Sequence, residues 1–170
     1  MEDAGVGRIA SVVGRFYAMD RDLRWERVET AYNMMTRGTD RTAETAQAAI
    51  QSYYDNPTDA NRKGDEFIAA TTITGEDGPT LVKNGDAIIF LNYRGDRTRE
   101  ITKAFVLPDD QWQSIEGGGF ERGEQINDLY FATMTGYESG LPVNVIFEKP
   151  DKMPNILGEY VSSLNLNQFR

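Results

Sequence analysis

The sequence of 170 residues contains neither histidine nor cysteine. The lack of cysteine excludes disulfide bonds, thiolate metal ligands and thiol nucleophiles. The lack of histidine removes the commonest general base and the commonest metal ligand, so serines such as Ser11 and Ser114 have no imidazole to activate them. These absences argue against most hydrolases and metalloenzymes; Asp20 and Asp22 are left as imaginable general bases or metal ligands, and we predict no catalytic residue and no metal ligand within this chain.

Basic residues are also scarce relative to acidic ones. There are 18 lysines and arginines against 27 acidic residues, which gives a formal net charge of −9. Such a charge repels polyanions and argues against a nucleic-acid partner. No apolar run approaches the roughly 18 residues that a membrane span needs, and residues 1–5 lack a signal-peptide pattern. We expect a cytoplasmic protein without a membrane partner, folded as one domain over residues 1–170.

Short apolar segments alternate with amphipathic ones along the chain. Strands are predicted at residues 8–13, 86–93, 129–134 and 143–147. Helices are predicted from Trp25 to the stop at Gly38, over 42–54, after Arg97 and after Asn155. The segments 14–22 and 63–85 are expected to be loops, the latter with short strands only.

This alternation predicts an α/β fold with a layered, mostly parallel sheet flanked by helices. The segment 86–93 has nearly continuous apolar residues, a pattern typical of a central strand that is covered on both faces.

Two pairs of arginines follow the first and the most apolar of the predicted strands. Arg15 and Arg21 follow the first strand, and Arg94 and Arg97 follow segment 86–93. Because the ligand crevice of an open parallel sheet forms beyond the carboxyl ends of its strands, the four side chains can converge there. Arg97 also lies where the next helix begins, a position unfavourable for a cation unless an anion lies between them. The planar fork of guanidinium suits a phosphate or a carboxylate.

Solvated ion pairs are the alternative interpretation of these arginines. On an acidic surface they would pair with nearby carboxylates, namely Asp20, Asp22, Glu26 or Asp96. Asp20 and Asp22 are interpreted as carboxylates that orient neighbouring arginines, with Asp22 as a candidate cap of the following helix. Residue types alone leave both interpretations open.

Three ordered blocks resemble signatures of the cofactor-independent (bisphosphoglycerate-independent) phosphoglycerate mutases. The first is Gly-Arg-Phe-Tyr-Ala-Met-Asp-Arg-Asp-Leu-Arg-Trp-Glu-Arg at residues 14–27. The second comprises residues 65–67, 85–97 and 99–105, and the third is Asn-Ile-Leu-Gly-Glu-Tyr at 155–160. The blocks are spread over nearly the whole chain, and the long first block is the most specific of them.

The resemblance implies that this chain is a piece of a larger mutase, one that interconverts 3-phosphoglycerate and 2-phosphoglycerate in glycolysis and gluconeogenesis. It implies the later part of that enzyme's inserted α/β substrate-binding domain, so the fold is expected to be incomplete relative to the family's whole domain. Substrate-binding positions of the family fall on one arginine cluster and its loop, namely Arg15, Arg21, Arg94, Gly95, Asp96 and Arg97.

The resemblance also implies that the phosphoryl chemistry lies elsewhere in the parent chain. A phosphatase-like domain would hold two divalent ions (Mn or Mg) and a serine that is transiently phosphorylated. No block of this chain matches those residues, so no cofactor is expected to bind it specifically and the chain alone is expected to be inactive. A histidine and a Gly-Arg-Asp-like motif expected from earlier in the inserted domain are absent as well.

Two questions stay open from the sequence. One is whether the chain belongs to a mutase or is a non-catalytic phospho-metabolite-binding or interaction module with the same fold. The other is its oligomeric state. A partial sheet would leave an edge and an apolar face uncovered, which predicts dimerisation or strand exchange.

Overall fold

The strands lie in two separate sheets of three. The computed structural model describes residues 5–148 and 153–169. The first sheet contains β1 (Ser11–Val12), β2 (Thr42–Ala43) and β3 (Thr71–Ile73), with β3 in the middle, antiparallel to β1 and parallel to β2. The second sheet contains β4 (Ala87–Phe90), β5 (Tyr130–Thr133) and β6 (Asn144–Val145), with β5 in the middle and parallel to both neighbours.

Helices separate and flank these strands. They are α1 (Arg15–Ala18), α2 (Trp25–Thr36), α3 (Ala46–Asp55), α4 (Arg99–Val106), α5 (Asp109–Gln113) and α6 (Leu157–Ser163), with a short 3₁₀ helix at Asp65–Phe67. The alternation of helices with mainly parallel strands confirms the predicted α/β class. No helix in the ranges that the structure describes is long and apolar enough to cross a bilayer.

The main core lies between α2, α4 and β5. Both helices turn one apolar stripe inward, made by Trp25, Val28 and Tyr32 on α2 and by Ile101, Ala104 and Phe105 on α4. Apolar residues at steps of three and four share one face of a helix, which explains why these stripes were predictable. Burial of each large side chain stabilises the fold by about 1.5–3 kcal/mol. This packing fixes α4, and with it the loop that precedes α4.

The strand predicted as central, residues 86–93, is instead an edge strand. It is β4, which pairs only with β5 among the described residues, and its Ile89 side chain is 61% exposed. Leu91, Tyr93, Tyr130 and Ile146 are exposed in the same part of the molecule. The continuous apolar pattern indicated burial on both faces, but within the described ranges only one face is covered. Dimerisation through this edge or face stays a prediction.

Several boundaries differ from the sequence predictions. The helix predicted over 42–54 begins at Ala46, because residues 42–43 pair with β3 and Thr45 caps α3 by accepting the N–H of Ala48 at 3.1 Å. The predicted loop 14–22 contains α1, and the strand predicted at 8–13 spans only β1. The last helix is present as α6, but its apolar side chains are exposed, Leu157 by 76%.

Candidate anion-binding site

Arg21 and Arg94 meet on the carboxylate of Asp96. The Nη1 of Arg21 and the Nη2 of Arg94 each donate to Asp96 Oδ2 at 3.0 Å, and the Nε of Arg94 lies 2.7 Å from Oδ1. The two arginine side chains remain 46% and 83% exposed. Two guanidinium groups from distant parts of the chain therefore face solvent side by side.

The side chain of Arg97 binds the backbone of the turn that carries Arg21. Its Nη1 donates to the carbonyl oxygen of Met19 at 3.2 Å, which ties the start of α4 to the turn that carries Arg21. Arg15 lies exposed on α1, one turn before Met19. It makes no hydrogen bond or ion pair with the other three arginines or with Asp96 in the described part of the chain. The structure thus brings Arg21 and Arg94 to one carboxylate and ties Arg97 to the turn before Arg21, and a binding role for each of the four arginines stays a prediction.

The convergence arises differently from the way the sequence suggested. Arg94 and Arg97 do follow the carboxyl end of β4, as expected. Arg21 does not follow a parallel neighbour of β4, because β1 lies in the other sheet. Instead, Arg21 is carried by the turn between α1 and α2, and the packing of α2 against α4 brings this turn to the end of β4.

The loop after β4 is held in place by the loop after β5. Tyr137 is 1% exposed, and its hydroxyl lies 2.6 Å from the carbonyl oxygen of Asn92 and 3.0 Å from that of Phe90. Arg99 Nε donates to the carbonyl oxygen of Tyr137 at 2.9 Å. Gly95 packs so closely that a Cβ there would lie 3.0 Å from the Cα of Tyr137. The loop that carries Arg94 and Asp96 therefore rests on a buried tyrosine that sequence reasoning did not single out.

Asp20 organises the turn that carries Arg21. The carboxylate is 4% exposed and accepts the backbone N–H groups of Asp22 at 2.8 Å and Arg24 at 3.1 Å. It also pairs with the guanidinium groups of Arg24 and Arg27. These contacts confirm that Asp20 orients neighbouring arginines. The cap predicted on Asp22 is wrong, because its carboxylate binds the Arg24 side chain and makes no cap hydrogen bond to α2.

The electrostatics of the cluster favour an anion. Burial by itself raises the pKa of Asp96, but the hydrogen bond and charge of Arg94, and then the hydrogen bond of Arg21, bring that pKa below its ordinary value. In the part of the chain that the structure describes, Asp96 is the only carboxylate paired with Arg21, Arg94 or Arg97. Two guanidinium groups thus share one carboxylate, while Arg97 binds only the carbonyl oxygen of Met19, which leaves an excess of positive charge at this place on an acidic protein.

The lowered pKa of Asp96 gives an expected pH dependence of stability. Because its folded pKa lies below the ordinary 3.8, ionised Asp96 stabilises the fold above about pH 4, and this contribution is lost as the pH falls through the lower folded value. Asp96→Asn cannot ionise, so its urea midpoint should fall less between pH 5 and pH 2 than that of the wild type. The exposed Asp110→Asn is the control and should keep the wild-type pH dependence. Identical pH profiles for Asp96→Asn and the wild type would contradict the assignment.

The described ranges, 5–148 and 153–169, offer no group of three or more acidic, histidine or cysteine side chains that could hold a metal ion. The carboxylates near the arginines bind guanidinium and backbone N–H groups instead. Within these ranges the side chains therefore offer no ligand set for the divalent ions, which the resemblance places in a different domain of the parent enzyme.

Comparisons with known proteins point to one family. The family model described as BPG-independent PGAM N-terminus matches residues 1–139. The 2,3-bisphosphoglycerate-independent phosphoglycerate mutase of Rhodopirellula baltica is 68% identical over 170 residues, covering 99% of this chain and 31% of that protein. The mutase of the same name from Clostridium beijerinckii is 49% identical, covering 100% of this chain and 31% of that protein.

A solved structure agrees with these relatives. The crystal structure of Leishmania mexicana phosphoglycerate mutase at low cobalt concentration matches with a TM-score of 0.74 and 27% identity, over 98% of this chain and 29% of that chain. This chain therefore spans about a third of the length of the curated relatives named above. Since the family model covers most of its residues, the chain belongs to the family of 2,3-bisphosphoglycerate-independent phosphoglycerate mutases.

Proposed function

We propose that this chain is the substrate-binding part of a phosphoglycerate mutase, an isomerase that interconverts 3-phosphoglycerate and 2-phosphoglycerate. In this proposal residues 1–170 are the later part of the inserted substrate domain, and the cluster of Arg21, Arg94 and Arg97, with Arg15 nearby, binds the substrate. The observation that carries the proposal is the meeting of Arg21 and Arg94 on the single carboxylate of Asp96 at the end of β4.

The chemistry of the substrate matches this cluster. A phosphoglycerate carries a phosphomonoester and a carboxylate, with a total charge near −3 at neutral pH because the second phosphate pKa is about 6. Guanidinium groups form paired, charge-assisted hydrogen bonds with both anions. The ion pair of Arg94 with Asp96, in which Nη2 donates to Oδ2 at 3.0 Å and Nε lies 2.7 Å from Oδ1, supports the proposal that this exposed guanidinium binds an anion.

The role proposed for this chain is to bind and orient, not to make bonds. It contains no histidine or cysteine, and its arginines stay protonated at neutral pH. Holding the substrate in one orientation converts phosphoryl transfer into an effectively unimolecular step. The transfer itself is proposed to occur in a phosphatase-like domain of the parent chain, where two divalent ions would stabilise the charge of the transferred group.

The alternative is a binding module without a mutase around it. Both proposals require a phospho-metabolite site, so ligand binding alone does not separate them. Mutase turnover by the full-length protein that contains this chain separates them, since the module would show none. Turnover by the isolated chain would contradict both.

Titration of the chain with 3-phosphoglycerate tests the site. Signals of the arginine Nε–H groups in ¹⁵N NMR spectra should shift for Arg21, Arg94 and Arg97 and stay unchanged for Arg41, which lies exposed immediately before β2. The affinity should fall as the ionic strength rises, because exposed charges are screened beyond about 10 Å at 0.1 M salt. Uncharged glycerol is the control ligand. Equal shifts at Arg41 and at the cluster, or no shift at all, would contradict the proposal.

A further inference from the structure

A buried carboxylic acid lies directly behind the turn that carries Arg21. Glu100, in the first turn of α4, is 5% exposed. Its Oε1 accepts the backbone N–H of Leu23 at 3.0 Å, while Oε2 has no hydrogen-bond partner in the described part of the chain. Burial of a polar group costs free energy unless it is hydrogen-bonded, so this side chain is poorly explained by stability alone.

Leu23 is held in an unusual backbone conformation. Its φ is 59°, in the left-handed region, where a side chain other than glycine costs about 1–2 kcal/mol. Such a residue persists only when its surroundings fix it. Asp20 fixes the turn through the N–H groups of Asp22 and Arg24, but it does not bind that of Leu23. The hydrogen bond from Leu23 to Glu100 is thus the contact that fixes this residue from α4.

Two hydrogen bonds from the segment 97–100 reach the backbone on either side of Arg21. Met19 lies two residues before Arg21, and its carbonyl oxygen accepts a hydrogen bond from Arg97. Leu23 lies two residues after Arg21, and its N–H donates to Glu100. Side chains of the segment 97–100 therefore form hydrogen bonds to the backbone on both sides of Arg21. Asp96, immediately before this segment, accepts a hydrogen bond from the Arg21 guanidinium group.

We propose that Glu100 is a positioning residue: it clamps the turn at Leu23 and so aims Arg21 at the anion site beside Arg94. This inference rests on the proposed function for its ligand, because 3-phosphoglycerate is the anion that the cluster would receive. Glu100 itself does not touch that anion in the proposal and acts only through the turn.

The protonation state of Glu100 is compatible with this role. Burial raises its pKa, the Leu23 N–H lowers it, and the charge of neighbouring Asp20 raises it again, with the balance above the ordinary value. A neutral carboxyl group keeps an oxygen that accepts the Leu23 N–H. A glutamine at this position resembles the neutral form in shape and also keeps that acceptor, so it is the conservative variant.

Replacement of Glu100 tests the inference through the affinity of the chain for 3-phosphoglycerate, measured by titration calorimetry. Glu100→Ala should weaken binding about tenfold, because it leaves the Leu23 N–H without its buried acceptor. Glu100→Gln should bind within about twofold of the wild type, since the acceptor is retained. Glu26→Ala removes one exposed carboxylate from the first turn of α2 and serves as the charge control, with unchanged affinity. Glu100→Leu fills the buried site without an acceptor and replaces the alanine variant should that variant fail to fold.

A double-mutant cycle with Arg21→Met separates positioning from general loss of structure. If Glu100 acts through Arg21, the Glu100 substitution should have little further effect on affinity once Arg21 is gone. An equal weakening in both backgrounds would overturn the inference, as would wild-type affinity in Glu100→Ala or Glu100→Leu.

A measurement without ligand tests the role of Glu100 independently of the proposed function. ¹⁵N relaxation at Arg21 Nε, without ligand, should show an ordered side chain in the wild type and in Glu100→Gln and a disordered one in Glu100→Ala or Glu100→Leu. If the wild-type chain does not bind 3-phosphoglycerate, the proposed function fails, yet this measurement still decides whether Glu100 positions Arg21. Equal order of Arg21 in all variants would overturn the inference.

Discussion

If the proposed function holds, replacing Arg94 and Arg97 together by methionine is expected to lower kcat/KM of the full-length protein for 3-phosphoglycerate about a thousandfold. Each lost charge-assisted hydrogen bond to a ligand anion costs about 1.5–3 kcal/mol. Two such losses, about 4 kcal/mol together, correspond to about a thousandfold in rate. Arg94 is 83% exposed, so most of the effect at that position concerns the substrate and not the fold. Steady-state kinetics with purified full-length variants is the measurement.

Two further variants sharpen this expectation. Arg94→Lys keeps the positive charge but loses the planar fork, so it should recover only part of the lost kcat/KM. Arg41→Met removes an exposed arginine immediately before β2 and should leave the kinetics unchanged. Wild-type kcat/KM in the double variant would show that the cluster at the end of β4 does not bind the substrate.

Gly14→Ala is expected to give the largest loss of stability. Gly14 is buried immediately before α1, and its N–H donates to the carbonyl oxygen of Ile68 at 2.7 Å. A Cβ there would overlap the carbonyl oxygen of Glu66 and would lie 2.6 Å from its carbon and 2.7 Å from the Ile68 nitrogen. These neighbours are backbone atoms that cannot rotate away. We expect the free energy of unfolding to fall by about 3–5 kcal/mol, measured by urea denaturation.

The cause at Gly14 is steric, since its φ of −71° suits any residue. Gly136→Ala is the matched control, because a Cβ there meets no atom within 4 Å. That variant should keep the wild-type stability to within about 0.5 kcal/mol. Equal stability of both variants would mean that the close approach of residues 14 and 66 is absent in solution. Because Arg15 follows Gly14 directly, the same variant should also displace the start of α1.

The helical core was predictable because its signal is local. The stripes on α2 and α4 follow from the spacing of Trp25, Val28, Ile101 and Phe105, and both helices are present with those side chains buried. The place of β4 was not predictable in this way. Its apolar residues indicate what the strand can bury, but whether a neighbour covers Ile89 depends on parts of the fold distant in sequence.

The arginine cluster was predictable only in part. The sequence supplied Arg21, Arg94 and Arg97 as candidates, and in the structure Arg21 and Arg94 bind Asp96 while Arg97 binds the backbone of the turn before Arg21. The pattern of strands gave the wrong reason for their meeting, because β1 and β4 lie in different sheets.

Neither Glu100, which lies within the second family-like block, nor Tyr137 was singled out from the sequence. A glutamate in the first turn of a helix normally lies in solvent, and a single tyrosine after a strand is commonplace. Their roles depend on contacts with distant loops. Glu100 binds Leu23, which lies 77 residues earlier in the chain, and Tyr137 binds Asn92, which lies 45 residues earlier.

The ion pair between Arg21 and Asp96 has a consequence for biosynthesis. The two residues are 75 positions apart, so a nascent polypeptide leaving the ribosome cannot form it until the later one has emerged from the exit tunnel. Closing so large a loop costs conformational entropy, and this cost is offset only when α4 packs against α2. The proposed affinity for phosphoglycerate should therefore be acquired late in folding, after α2 and α4 have packed together.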